Sequence, residues 1–235
     1  MAPITKEERK ALLKTIRRCT DCKESIVGNG EYTPVVFSAE EPDILLVSEV
    51  PPIGVWKEGL GDKRRDRIGI PVEDPPRATS AVMIDWLNLT REDANRRFFW
   101  IQRINCVPIK GEKARVARHC SEKYIDKAIH SIDNLTAIIT LGKPAARWFF
   151  GKGRLCDMVN KRESYSINGR EVPIIALFHP SSANRRHRAE YRDIHEQSLK
   201  RAREIIGTFP HSKPNQTVSK NPQSSVGRLT TQRND

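Results

Sequence analysis

Short apolar runs divide an otherwise charged chain. Residues 43–47 (Asp-Ile-Leu-Leu-Val), 98–106, 137–140 and 172–178 are bounded by turn signals and rich in β-branched or aromatic side chains. Each is too short for a buried helix and reads as a buried strand. Between these runs the apolar period lengthens to that of a helix. Thr5-Lys-Glu-Glu8 is a capping-box pattern, and the helix it opens carries Leu12, Leu13, Ile16 and Cys19 on one face. Residues 78–87 read as a short helix. Residues 114–132 read as a longer one, with Val116, Cys120 and Tyr124 stacked at i, i+4 and i+8. Gly142-Lys143-Pro144 opens another helix, which Gly151 closes, and 191–206 forms a last amphipathic one. Asn168-Gly169 is the turn of a hairpin-like excursion within 151–172.

Strand and helix therefore alternate along the chain. That order predicts an α/β fold, a three-layer αβα sandwich around a four-stranded, mainly parallel sheet. In such sheets ligands bind beyond the carboxyl ends of the strands. Glu49 follows the first strand, Asn105 and Cys106 end the second, Gly142 follows the third and His179 follows the fourth. Four chemistry-bearing positions thus fall at one edge. Residues 51–77 are rich in Pro, Gly and charge and have no period; a connection of that length is usually functional.

Charge changes the picture next. The 235 residues carry a formal net charge of +12, which points to a polyanionic partner. Beyond residue 208 the chain is polar and has little to bury, so the reading is a folded domain at 1–208 and a disordered basic tail at 209–235. No stretch approaches the ~18 apolar residues of a membrane span, and the charged start is unlike a secretory signal. The expectation is a soluble monomer in the cytoplasm or on the nucleoid.

The richest stretch is His179-Pro180-Ser181-Ser182-Ala183-Asn184-Arg185-Arg186-His187-Arg188. Pro180 ends the strand, leaving an imidazole at its tip. Short polar side chains (Ser181, Ser182, Asn184) and the cations Arg185, Arg186 and Arg188 follow. This set suits a site that handles a phosphodiester; the bland alternative is a structural histidine before a solvated basic helix. The cysteines supply a second constellation. Cys19 and Cys22 form a C-x-x-C pair, and Cys106 and Cys120 form a looser pair with thirteen residues between them. Four thiolates suit an iron–sulfur cluster or tetrahedral zinc, and the loose second pair leans toward the cluster. Cys156 has no evident partner.

With these pieces together the chain resembles the uracil-DNA glycosylases, most closely the iron–sulfur branch usually called family four, over roughly residues 8–206. The residues that carry the resemblance are Cys19-x-x-Cys22, Ser48-Glu49-Val50-Pro51-Pro52 in place of Gly-Glu-Ala-Pro-Gly, Cys106, Cys120, Leu141-Gly142-Lys143-Pro144-Ala145-Ala146, and His179-Pro180-Ser181. The resemblance implies a DNA glycosylase that excises uracil or another deaminated base, acts on single- or double-stranded DNA and carries a structural 4Fe-4S cluster on Cys19, Cys22, Cys106 and Cys120. It makes His179 the donor to the leaving base and Glu49 the carboxylate that orients water or stabilises the sugar cation. Ser181, Ser182, Asn184 and the three arginines would hold phosphates.

Three positions depart from the family pattern. Gln102 stands where the family reads the base edge with Asn; it makes the same contact one methylene further out, or is simply a strand residue. The aromatic of the family's Gly-x-Pro-Phe-Val loop is missing from Gly69-Ile70-Pro71-Val72, and Trp56 is either the substitute stacking plane or simply a packed loop residue. Pro52 replaces a Gly beside the pocket. A silent nucleic-acid-binding protein that keeps the fold and cluster is the alternative. A zinc deaminase fits poorly, because no H-x-E…P-C-x-x-C pattern is present.

Overall fold

Strand β2 (Ile44–Ser48) is buried at every position, and the sheet is assembled around it. The computed structural model describes residues 5–29, 34–51, 79–181 and 184–207. Besides β2 the strands are β1 (Phe37–Ser38), β3 (Phe98–Gln102), β4 (Ala137–Leu141), β5 (Glu163–Ile167) and β6 (Arg170–Leu177), in the spatial order β1-β3-β2-β4-β6-β5. The middle four, β3, β2, β4 and β6, run parallel. Both edges are antiparallel: β1 on β3 and β5 on β6. The sheet thus has six strands where the apolar runs predict four. The two additions escape that pattern for physical reasons. β1 is two residues long, and β5 is mostly exposed, so neither carries a continuous apolar run. The β5–β6 hairpin turns at Asn168 and Gly169, both at positive φ, in a two-residue loop.

Side chains on successive strand residues point to opposite faces, and helices cover both. Leu45, Val47, Phe99, Ile101, Ile138 and Ile174 face α1 (Lys6–Arg17) and α4 (Lys113–His130). Ile44, Leu46, Phe98, Ile139, Leu141, Ile175 and Leu177 face α2 (Thr79–Trp86) and α8 (Arg192–Gly207). Each of these large side chains contributes about 1.5–3 kcal/mol by leaving water. The capping box at α1 is formed: the Glu8 N–H donates to Thr5 Oγ1, and the Thr5 N–H returns to Glu8 Oε2. A second box, Thr90 with Asp93, starts α3 (Arg91–Arg97), a polar helix whose pattern the apolar period does not reveal. Helices α5 (Lys143–Phe150), α6 (Leu155–Asn160) and α7 (Arg185–Glu190) complete the described chain. At the amino edge of the sheet Arg97 grips Asp43 through Nε and Nη2 and donates from Nη1 to the Ile206 carbonyl, tying β2, β3 and α8 together. The opposite, carboxyl edge is left to chemistry.

Candidate active site and cysteine cluster

The parallel ladder continues past the strands at that edge. Arg103 N–H donates to the Ser48 carbonyl (2.8 Å) and Ile104 N–H to that of Glu49 (3.0 Å), so the exits of β2 and β3 are held side by side. Glu49 points its carboxylate to Lys113 Nζ, 2.6 Å away at the start of α4. Arg103 also feels that carboxylate. Burial lowers its pKa and Glu49 opposes the shift, while its guanidinium donates to Ser121 Oγ and the Pro144 carbonyl. Lys113 and Arg103 are site residues that the sequence did not single out, because neither belongs to a motif.

His179 leaves β6 in a turn that is tied down on several sides. Its Nδ1 accepts the Ser181 N–H at 3.2 Å. A neutral ring that accepts at Nδ1 carries its proton on Nε2, and among the described residues Nε2–H has no hydrogen-bond partner. Burial lowers the His179 pKa, with Glu49 raising it and Arg188 lowering it further. The ring is therefore neutral near pH 7, and it lies within the electrostatic reach of Glu49. Gly142, at φ +82 after β4, lets the ring pack against bare backbone: a Cβ there would lie 3.2 Å from His179 Cβ.

The basic run beyond His179 divides by role. Arg188 Nη1 donates to the carbonyls of His179 and Ser181, each at 2.8 Å, and its Cζ lies 5.2 Å from the centre of the Trp86 ring. That guanidinium is turned inward onto the loop. Asn184 Nδ2 donates to Ser181 Oγ at 3.0 Å, so these two side chains brace one another. Arg186 is exposed, and Arg185 opens α7. Trp56, Ser182, Pro52, the Gly69–Val72 loop and the tail at 209–235 lie outside the described residues. Beneath Trp86 and Phe178 lies His195. It is buried, edge-on to both rings and without a hydrogen-bond partner on either nitrogen, and burial pushes its pKa down to about 4.

Gln102, at the tip of β3, is buried beside Ser48, its register partner on β2. Ser48 Oγ donates to Gln102 Oε1 and accepts from Trp100 Nε1 at 3.0 Å. The Gln102 N–H donates to Asn105 Oδ1 (3.1 Å), and Asn105 Nδ2 donates to Cys120 Sγ (3.3 Å). Asn105 is buried, so it bridges the strand tip and the cysteine cluster directly.

The four cysteines come from three segments: Cys19 and Cys22 after α1, Cys106 after β3, and Cys120 within α4. Burial raises the Cys106 thiol first, and the charges of Cys120, Cys19 and Cys22 raise it further. Cys120 is pushed up to about 11 by burial, opposed by the N–H bonds from Asn105, with Cys19 and Cys22 adding to the rise. Each of the four thiols thus lies within the electrostatic reach of the other three. Cys156 lies apart, packed with Met158, Val159, Ala176 and Phe178. Among the described residues no three His, Cys, Asp or Glu side chains are gathered for a single metal ion. One zinc needs all its sulfurs within ~2.3 Å of a common centre, whereas a cluster gives its irons separate thiolates. Four thiols are a donor set of the type that either group takes. Burial raises the pKa of the Tyr124 hydroxyl and Cys19 raises it further, which puts this donor within reach of the Cys19 sulfur. An open cleft of about 370 Å³ beside Cys19 and Tyr124 is lined by Lys14, Arg18 and Lys123.

The mainly parallel sheet covered by helices on both faces defines an α/β fold, and the family comparison narrows it. The model of the uracil DNA glycosylase superfamily matches residues 58–203, more than half of the chain. The chain belongs to the uracil DNA glycosylase superfamily. The matched span holds Gln102, Cys106, Cys120 and His179; Glu49 and the Cys19–Cys22 pair precede it. No curated protein matches the chain.

Proposed function

We propose that the protein hydrolyses the N-glycosidic bond of uracil or another deaminated base in DNA, and that Cys19, Cys22, Cys106 and Cys120 hold a four-iron cluster as in the family-four branch. The observation that carries this reading is the His179 turn, a neutral imidazole with Nδ1 satisfied and Nε2–H unpaired among the described residues, in the field of Glu49. The target base leaves the stack to enter the pocket. As the C1′–N bond breaks, its electron pair passes to the base and positive charge collects on the sugar. His179 Nε2–H donates to a base carbonyl oxygen as negative charge grows there, an interaction strongest in the transition state. Glu49 stabilises the sugar cation and aligns the water whose oxygen bonds to C1′. The proton lost by that water passes to the base anion or to solvent. Lys113 fixes the direction of the carboxylate.

Gln102 reads the base edge and Trp56 stacks on its face. Ser181, Ser182, Arg185 and Arg186 take the flanking phosphates, with Asn184 orienting Ser181. The cluster supplies a cross-link joining the end of α1 to β3 and α4, and its loss lowers stability before it touches chemistry. The partner is DNA, single- or double-stranded, bound by a monomer in the cytoplasm or on the nucleoid. No helix among the described residues is long and apolar enough to cross a membrane.

The second reading, a silent DNA-binding protein, draws its support from Gln102, whose amide oxygen is already engaged by Ser48. Oligonucleotides bearing a single uracil, hypoxanthine or xanthine, treated with the protein and then alkali, separate the two. The glycosylase reading expects scission at the modified position. Intact strands for all three bases, with DNA binding retained, support the silent protein. Iron and sulfide analysis tests the cluster, and stoichiometric zinc in place of iron would overturn it.

A further inference from the structure

Glu49 and His179 leave the sheet from strands that are not neighbours. In the order β3-β2-β4-β6, the β4 exit separates them. The His179 side is referenced to that exit: the Gly142 N–H donates to the Leu177 carbonyl at 2.8 Å, and Gly142 backs the imidazole. The Glu49 side is held to β3, through the N–H groups of Arg103 and Ile104 on the carbonyls of Ser48 and Glu49. The β2–β4 register ends at the Val47–Thr140 pair, and beyond it the Arg103 side chain joins the two halves. Arg103 follows β3, yet its Nη1 donates at 2.9 Å to the carbonyl of Pro144, two residues beyond Gly142. Because β2 lies between β3 and β4, the guanidinium crosses the β2 exit, within the field of the Glu49 carboxylate. Its Nε donates to Ser121 Oγ at 3.2 Å, and that hydroxyl donates back to the Arg103 carbonyl at 3.3 Å, so α4 fixes the side chain midway. A guanidinium carries its donors in a rigid planar fork, which suits it to bridging two acceptors in set directions.

We infer that Arg103 is a positioning residue for base release, a strap across the β2 exit that sets the spacing between the Glu49 carboxylate and the His179 imidazole. This inference rests on the glycosylase reading for the reaction served. The sugar carbon and the base carbonyl belong to one nucleotide and lie at a set separation, so the two groups that attend them must too. A small error in that spacing lowers the rate even when both groups are intact. The charges that act on the His179 ring are those of Glu49 and Arg188, so Arg103 reaches the ring through the Pro144–Gly142 segment and not through its own field.

The test follows uracil release in single turnover at saturating protein. Arg103→Met, which keeps an apolar stem of similar length, slows release about tenfold to thirtyfold with DNA affinity kept. Ser121→Ala, which leaves the guanidinium in place and removes its middle anchor, slows release about threefold to fivefold and repeats each comparison should Arg103→Met fold poorly. In a Glu49→Ala background the further loss from Arg103→Met falls below about twofold, because the spacing no longer matters. A residue that only supports the fold gives the same factor in both backgrounds. A second readout needs no activity: the titration of the His179 ring followed by NMR in the free protein. Loosening the Gly142 turn lets water reach the imidazole, so in Arg103→Met the midpoint rises toward the ordinary histidine value. Full rate in Arg103→Met, or an equal loss in both backgrounds, overturns the inference. If the wild type is inactive on every deaminated base, a His179 titration shifted by Arg103→Met keeps the strap and defeats the glycosylase reading, and an unmoved titration overturns the strap.

Discussion

Replacing Arg188 with alanine removes the one guanidinium that holds both carbonyls of the His179 turn. Its Nη1 bonds the His179 and Ser181 oxygens at 2.8 Å each, and the group stacks on Trp86. A bond from a charged donor is worth ~1.5–3 kcal/mol when buried. Arg188 is only half-buried, so solvent screening reduces that, and about 2 kcal/mol for the pair is a fair sum. If the turn loses that much order, the productive His179 position falls to a minor state, and the rate falls about tenfold to thirtyfold. The role suggested by its place in a basic run is different. A phosphate contact would contribute ~0.9 to the slope of log affinity against log salt. Single-turnover rates at saturating protein, with affinities measured across a salt series, separate the two roles. The structure calls for a slower variant with an unchanged salt slope. A variant with full rate at saturation and a slope smaller by about one unit would refute the strut and make Arg188 a phosphate contact.

Gly142→Ala places a Cβ 3.2 Å from His179 Cβ on a backbone at φ +82 and ψ 167, a region nearly closed to other residues; base release slows about tenfold while DNA affinity is kept, and a fully active variant contradicts the packing. Asn105→Ala strands the Gln102 N–H and removes a donor from Cys120, which lowers stability by about 2 kcal/mol and, for the proposed cluster, speeds iron loss to a chelator. Cys156→Ser leaves iron content unchanged, and the reverse pattern between these two variants would show the bridge to be misassigned. His195 binds its proton near the ordinary imidazole value of 6.5 when unfolded and only at about 4 when folded, so the unfolded state protonates first. Its contribution to stability is complete above pH 6.5 and is lost as pH falls toward 4, by at most about 3 kcal/mol. Urea unfolding at several pH values should give a flatter profile for His195→Leu, and an unchanged acid slope would count against the buried neutral ring.

The parallel core of the fold was legible because each of its strands is buried on both faces and so appears as an unbroken apolar run. Leu45 and Leu46, or Ile138 and Ile139, face opposite helix layers and must both be apolar. The edges were legible only in part: β1 is too short to have a pattern and β5 exposes most of its residues, although the Asn168-Gly169 turn marked the hairpin that pairs β5 with β6. Helix α3 left a capping signature, Thr90 to Asp93, but no apolar stripe. At the site, Glu49 and His179 could be found because a parallel sheet delivers strand ends to one edge whatever their side chains do. Their partners could not. Lys113 meets Glu49 from a helix more than sixty residues later in the chain, and nothing local marks it. Arg188 looks like its neighbours Arg185 and Arg186 in sequence, and only the folded turn distinguishes the one that faces inward. Gln102 stood out in the sequence as a departure from a family pattern and Ser48 did not, whereas the register of β2 and β3 joins them in one contact.

The most direct test of the proposed chemistry is the single-turnover release of uracil by His179→Ala compared with the wild type. His179 Nε2–H is assigned to charge that forms only in the transition state, with Nδ1 held by Ser181. Losing one such donor is worth about 3 kcal/mol, roughly a hundredfold in rate, with little change in DNA affinity. An active wild type matched in rate by His179→Ala would contradict the mechanism, and a variant about a hundredfold slower on equally bound DNA is the predicted result.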